Sequence, residues 1–149
     1  MKLQVDNKIF FAEVENLLAE GESVTVRVRG CSMMPHLRDG KHSVVVRRCE
    51  AEDIKLGAVM FFEYRGQWIM HRLRKIEGDR LIFAGDGNYK QCECVSRADV
   101  QGIVTDIVSR SGKKTRCDAM SWRVKSKMWL MLPPIVRRYI LAIIRRIKF

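Results

Sequence analysis

The chain is predicted to fold as a mainly β domain, a coiled antiparallel sheet or small barrel, with one short helix before it and a helical tail behind it. Three observations predict this. Val24, Val26 and Val28 alternate with Thr25, Arg27 and Arg29, the period-two pattern of a half-buried strand. Turn signals recur about every eight to twelve residues through the middle of the chain, as they do in antiparallel sheets. After Asp118 the acids stop, and apolar residues recur at helical spacing on either side of Pro133-Pro134.

Each element can be justified in order. Asp6 could cap a helix from about Lys8 to Glu20, which puts Phe10, Phe11, Val14, Leu17 and Leu18 on one face and is closed by Gly21. The alternating strand follows and ends at Gly30. Ser43 to Arg48 is a second strand, and Ala58 to Tyr64 with Gln67 to Ile76 forms a hairpin about Arg65-Gly66. Another hairpin turns through Glu77-Gly78-Asp79 into Leu81 to Ala84. Gly85-Asp86-Gly87-Asn88 is expected to be a loop, because each residue tolerates unusual backbone angles. Gln101 to Arg110 is the last strand, stopped at Ser111-Gly112. The organisation is thus a helix over 1–21, a β domain over 22–114 and a basic tail over 115–149, with tail helices at Ser121–Leu132 and Ile135–Ile147.

The 149 residues suit one compact domain with an appendage, and 47% hydrophobic content argues for a folded globule. The net charge of +11 is uneven. Arg123, Lys125, Lys127, Arg137, Arg138, Arg145, Arg146 and Lys148 all follow the last acid. In the second tail helix Ile140, Ile143, Ile144 and Ile147 oppose Arg137, Arg138, Arg145 and Arg146, which suggests a cationic anchor on an anionic membrane surface. Packing on its own domain or a dimer contact is the alternative. Nucleic-acid binding is not expected, since these cations are interleaved with isoleucine and leucine instead of exposed aromatics.

Five cysteines, Cys31, Cys49, Cys92, Cys94 and Cys117, form no paired knuckles and have no nearby histidines. Neither zinc nor another cofactor is expected. With no signal peptide at the start, free thiols in a cytoplasmic setting are the economical expectation. The longest apolar run, Met128 to Val136, is short of a membrane span.

Chemistry is concentrated at Gly30-Cys31-Ser32-Met33-Met34-Pro35 and at His71. A serine on a bend and a histidine inside an apolar strand could form a proton-transfer pair. A turn serine and a structural histidine are the plainer alternative. His36 and His42 are expected at the surface, Cys31 as a packing residue, and Trp68 with Phe61-Phe62 as core or cleft wall.

Taken together, the boxes resemble the signal peptidase I and LexA-type superfamily of serine peptidases (S24/S26). Gly30 to Gly40 resembles its G-x-S-M-x-P-x-L-x-x-G nucleophile box. His71-Arg72-Leu73 resembles the H-R-V box of the endoplasmic-reticulum and archaeal signal peptidases, and Gly85-Asp86-Gly87-Asn88 the following G-D-x-N box. The resemblance implies Ser32 as nucleophile, His71 as base, Asp86 as the carboxylate that orients His71, and the Ser32 backbone N–H as an oxyanion donor. Where the family places a further aspartate, this chain has Cys92 followed by Glu93, so Glu93 is the alternative orienter. Lys41 and Ala58 also replace aspartates usual in the family. An N-terminal membrane span and a DNA-binding helix-turn-helix, each found in part of the superfamily, are both missing from the residues before the first strand.

The implied function is a serine endopeptidase that cleaves an extended peptide, a leader or signal peptide being the candidate, in the cytoplasm or peripherally on the membrane. A noncatalytic peptidase-like module that docks a peptide or membrane surface through its basic tail is the alternative. Oligomeric state is not legible.

Overall fold

The structure, a computed structural model, describes residues 7–30 and 32–147, and of residues 7–9 and 88–90 the backbone alone. The chain runs α1 (Asn7–Ala19), β1 (Val24–Arg27), β2 (His42–Arg48), β3 (Val59–Tyr64), β4 (Gln67–Glu77), β5 (Arg80–Gly85), β6 (Asn88–Ser96), β7 (Val100–Ser109), β8 (Lys114–Arg116), α2 (Met120–Met131) and α3 (Pro134–Arg146). Short 3-10 turns occupy Ala51–Asp53 and Arg97–Asp99.

The eight strands make one antiparallel sheet in the order β1-β2-β7-β3-β4-β5-β6, with β8 added on β7. It curls into a half-barrel, as the mainly β prediction required. Register shifts at Val45/Val46, Phe61/Phe62, Leu73/Lys75 and Ala84/Gly85 supply that curvature, because an extra residue on one strand bends it and increases its twist.

Period-two alternation divides the sheet into two packed faces. Val14 and Leu18 of α1 close one core over Val44, Val46, Val59, Phe61, Val104 and Ile107. Phe11 extends it, stacking on Trp68, which stacks on Phe61. Met60, Phe62, Leu73, Leu81, Phe83 and Val95 form the second core on the other face. Trp68 and Phe61 are therefore core, as expected.

One sequence expectation changes. Gly85–Asn88 is expected as a loop with no element named between it and Gln101, yet Gly85 ends β5 and Asn88–Ser96 forms β6, the outermost strand beside β5. Cys92, Glu93, Cys94 and Val95 pair in turn with Ala84, Phe83, Ile82 and Leu81. In the tail, two helices form, as the pattern on either side of Pro133-Pro134 suggests. Trp122, Ser126 and Trp129 of α2 are buried, and Arg137 and Leu141 of α3 are buried with them. Asp6 and Cys31 lie outside the described residues.

Candidate active site

The Ser32 turn is pinned from both sides by its own sequence. Met33 and Leu37 are buried in the first core, and Leu37 N–H donates to the Met33 carbonyl at 3.0 Å, closing one helical turn over the Met34-Pro35 bend. Asp39 Oδ2 accepts the Gly30 N–H at 2.8 Å and ties the two ends of the box together. Ser32 is left half-buried at the corner. Its carbonyl accepts the Gly87 N–H at 2.8 Å, so the Gly85–Asn88 segment docks on the nucleophile box through the main chain.

His71 approaches from β4. The register sets Leu73 opposite Phe83, and Phe83 opposite Glu93, so three neighbouring strands share one face. His71 lies two residues from Leu73 on that face, and Gly85 two residues from Phe83. Gly85 leaves open the space that this geometry needs. A Cβ there would overlap the Ser32 carbonyl oxygen and would come within 3.0 Å of His71 Nε2. The absence of a side chain lets the Ser32 main chain and the imidazole meet over one point of β5.

On the far side of the ring, His71 Nδ1 lies 2.8 Å from Glu93 Oε1, with both side chains buried. The contact is close, although the N–H does not point along it well enough for a linear hydrogen bond. Nε2 thus faces the Ser32 corner and Nδ1 faces a carboxylate, the two directions a base of this kind requires. Ser32 Oγ and the Ser32 N–H make no hydrogen bond among the described residues. Both are free for a substrate, and such bonds often tighten only when one is bound.

Asp86 sits elsewhere, and the expectation that it orients His71 is corrected on geometry. Arg72 alternates to the opposite face from His71, and its Nε and Nη2 donate to Asp86 Oδ1 and Oδ2 at 2.8 and 2.7 Å. His36 Nδ1 is 2.9 Å from the same Oδ2. Burial opposes ionisation of Asp86, but hydrogen bonds from Arg72 and His36 outweigh it and hold the carboxyl at about 2. Arg72 Nη1 also donates to the Gly57 carbonyl at 2.9 Å. Asp86 therefore joins the nucleophile turn, β4 and the loop after β5 into one buried network and does not touch the His71 ring.

Of the two histidines expected at the surface, His36 is buried and His42 is half-buried. The His36 side chain is 4% exposed, with Trp122 and Trp129 edge-on to its ring. His42 Nδ1 accepts the Arg38 N–H at 3.0 Å. Burial first, then the charges of Arg38, Lys125 and Lys41, hold the His42 pKa below its ordinary value.

The α2 and α3 helices reach the same loop. Trp129 Nε1 donates to the Asp86 carbonyl at 3.1 Å, and Arg145 Nη2 to the Gly87 carbonyl at 3.2 Å. Arg137 is 6% exposed. Of the four arginines expected to face a membrane, Arg137 is buried, while Arg145 bonds the Gly87 loop and stays exposed. The outward residues include Ile135, Tyr139, Ile143 and Ile147, with Arg138 and Arg146 among them. No helix of the described residues is long and apolar enough to cross a membrane.

Among the described residues no group of His, Cys, Asp and Glu could hold a metal ion. Cys49, Cys92, Cys94 and Cys117 are free thiols. Burial pushes the Cys117 thiol up to about 12 and the Cys49 thiol up to about 11, which leaves both poor nucleophiles.

Residues 2–105 match the model of the Peptidase S24-like family. The chain belongs to that family. The match takes in Ser32, His71, Asp86 and Glu93, while α2 and α3 lie beyond it. No curated protein matches the chain significantly. Membership in the S24-like family supports a peptidase-type function in general.

Proposed function

We propose that this S24-like chain is a serine endopeptidase of the Ser-His type, akin in its base to the endoplasmic-reticulum and archaeal signal peptidases. The observation that carries the proposal is the convergence of the Ser32 corner and His71 Nε2 over Gly85, with Glu93 behind the ring. Ser32 Oγ attacks the substrate carbonyl and gives its proton to His71 Nε2. Glu93 stabilises the imidazolium that forms and fixes the ring's orientation. The Ser32 N–H donates to the oxyanion, a contribution worth about 3 kcal/mol in related sites. His71 then returns the proton to the departing amine, and a water activated by the same ring releases the acyl group from Ser32.

The substrate is an extended peptide laid along a sheet edge, where main-chain hydrogen bonds bind it and side-chain pockets select it. The outermost strand β6 carries Glu93 and directly follows the docked loop. The preferred substrate is the leader of a small modified peptide made in the cytoplasm. Incubation of candidate leaders with the chain and with Ser32→Ala decides this; cleavage by the first alone supports the proposal, and equal cleavage by both refutes it.

The same reading holds the protein at the cytoplasmic membrane face. Ile135, Tyr139 and Ile143 on α3, with Ile147 just after it, are exposed, and cationic and apolar residues together favour an anionic bilayer. Tyr139→Glu with Ile143→Glu should abolish co-sedimentation with anionic vesicles without lowering Tm. Undiminished binding by this variant would remove the membrane from the account.

A further inference from the structure

Beside the nucleophile turn lies a cavity of about 970 Å³, lined by Pro35, His36 and Arg38, by Ser109–Ser111 at the end of β7 and by one side of α2. Its charged lining is of one sign. Arg38, Lys41, Arg110 and Lys125 border it together with His42, and among the described residues no Asp or Glu does. The Arg110 and Lys125 side chains form no ion pair among the described residues. Met128, Trp129 and Leu132 supply an apolar side, and Ser109 and Ser111 a neutral polar one.

The cavity shares residues with the candidate active site. Trp129 faces it while giving its indole N–H to the Asp86 carbonyl, and His36 faces it while contacting the Asp86 carboxylate. Cations held close together in a concave site repel one another and concentrate a positive field there. Burial first, and after it the charges of Arg38, Lys125 and Lys41, lower the His42 pKa, so those three cations do act on this site. A ligand that brings an anion would compensate Arg110 and Lys125.

We infer that this cavity binds an acidic, partly apolar segment of the substrate polypeptide, with Arg110 and Lys125 taking its carboxylates and Met128 and Leu132 its apolar side chains. The inference rests on the proposed peptidase reading and adds a substrate class to it. One observation favours a peptide over nucleic acid. Among the described lining residues the one aromatic ring besides histidine, Trp129, already packs edge-on against His36, so it offers no stacking platform for bases. The shared wall with the Ser32 turn favours the substrate chain as the source of the anion.

The test uses the full chain with Ser32→Ala, so that peptide is bound and not consumed. Fluorescein-labelled peptides of alternating Glu and Leu, and their Gln-Leu counterparts, are titrated by anisotropy. The Glu-Leu peptide should bind at least about tenfold tighter, with the preference shrinking as salt rises. Arg110→Glu with Lys125→Glu should erase it, and the milder Arg110→Gln with Lys125→Gln should reduce it if the reversal disturbs folding. Equal binding of the two peptides, or a preference that survives the substitutions, overturns the inference. So does stronger binding at the same residues by inorganic phosphate, anionic vesicles or a single-stranded oligonucleotide. Labelling of Ser32 in the unsubstituted chain by a fluorophosphonate is read separately. Its absence defeats the peptidase reading, whereas the peptide preference alone decides this one.

Discussion

His71 and Glu93 meet across an intervening strand, Nδ1 to Oε1 at 2.8 Å, because the strand between them offers Gly85 beside the ring. Two carboxylates, Asp86 and Glu93, flank the β4 pair His71-Arg72, and alternation sends each to a different partner. Glu93 faces the imidazole, and Asp86 the guanidinium. The candidate site is thereby divided into a reacting half on one face of the sheet and a supporting half on the other.

Glu93→Gln should therefore slow acylation of Ser32 by a factor on the order of 10² to 10⁴, with little change in Tm. Stopped labelling reactions of Ser32 measure it. A rate within twofold of the parent chain would mean that His71 works without this carboxylate.

Asp86→Asn should behave differently, because it removes the anion from a fully buried pair and leaves Arg72 uncompensated. A loss of about 3–5 kcal/mol in folding free energy is expected, read by denaturant midpoint. The pH dependence has a definite sign. The folded-state pKa of Asp86 is depressed to about 2, below the ~3.9 of an unfolded aspartate. Its contribution is complete above ~3.9 and is lost as pH falls toward about 2. The acid-unfolding midpoint should accordingly move upward in Asp86→Asn; an unchanged midpoint and unchanged stability would contradict the network described.

Gly85→Ala tests the close approach itself. Its Cβ would overlap the Ser32 carbonyl and crowd His71 Nε2, so the nucleophile turn must shift. Acylation should fall about 100-fold or more, since sub-ångström misplacement at a reacting pair is costly. Near-normal acylation in Gly85→Ala would show that Ser32 and His71 do not work through this contact.

Much of the fold was legible, and the gaps have physical causes. Alternation at Val24–Val28 and the Arg65-Gly66 turn marked strands because one face is buried and the turn needs special backbone angles. β6 was hidden because Gly87-Asn88 ends a turn-rich tetrapeptide and Cys92-Glu93-Cys94 lacks large β-branched residues. The hydrophobic partners that make it a strand lie on β5. With β6 missing, Glu93 could not be placed on the His71 face, and the more familiar Gly-Asp loop made Asp86 the stronger candidate. A period-two count from Leu81 through Phe83 to Gly85, continued into Gln91, Glu93 and Val95, was the available signal. For the tail the sequence left two readings open, a membrane anchor or packing on the domain, because the alternation of isoleucine and arginine fits either. The burial of Arg137 and the bond from the exposed Arg145 to the Gly87 carbonyl depend on neighbours that helical periodicity does not reveal.

The most direct measurement of the central claim is the rate at which a fluorophosphonate modifies Ser32, followed by peptide mass spectrometry in the parent chain and in His71→Ala. The account predicts a single adduct on Ser32, formed at least about 100-fold more slowly once the imidazole is removed. No adduct on Ser32, or equal rates in the two proteins, would contradict it.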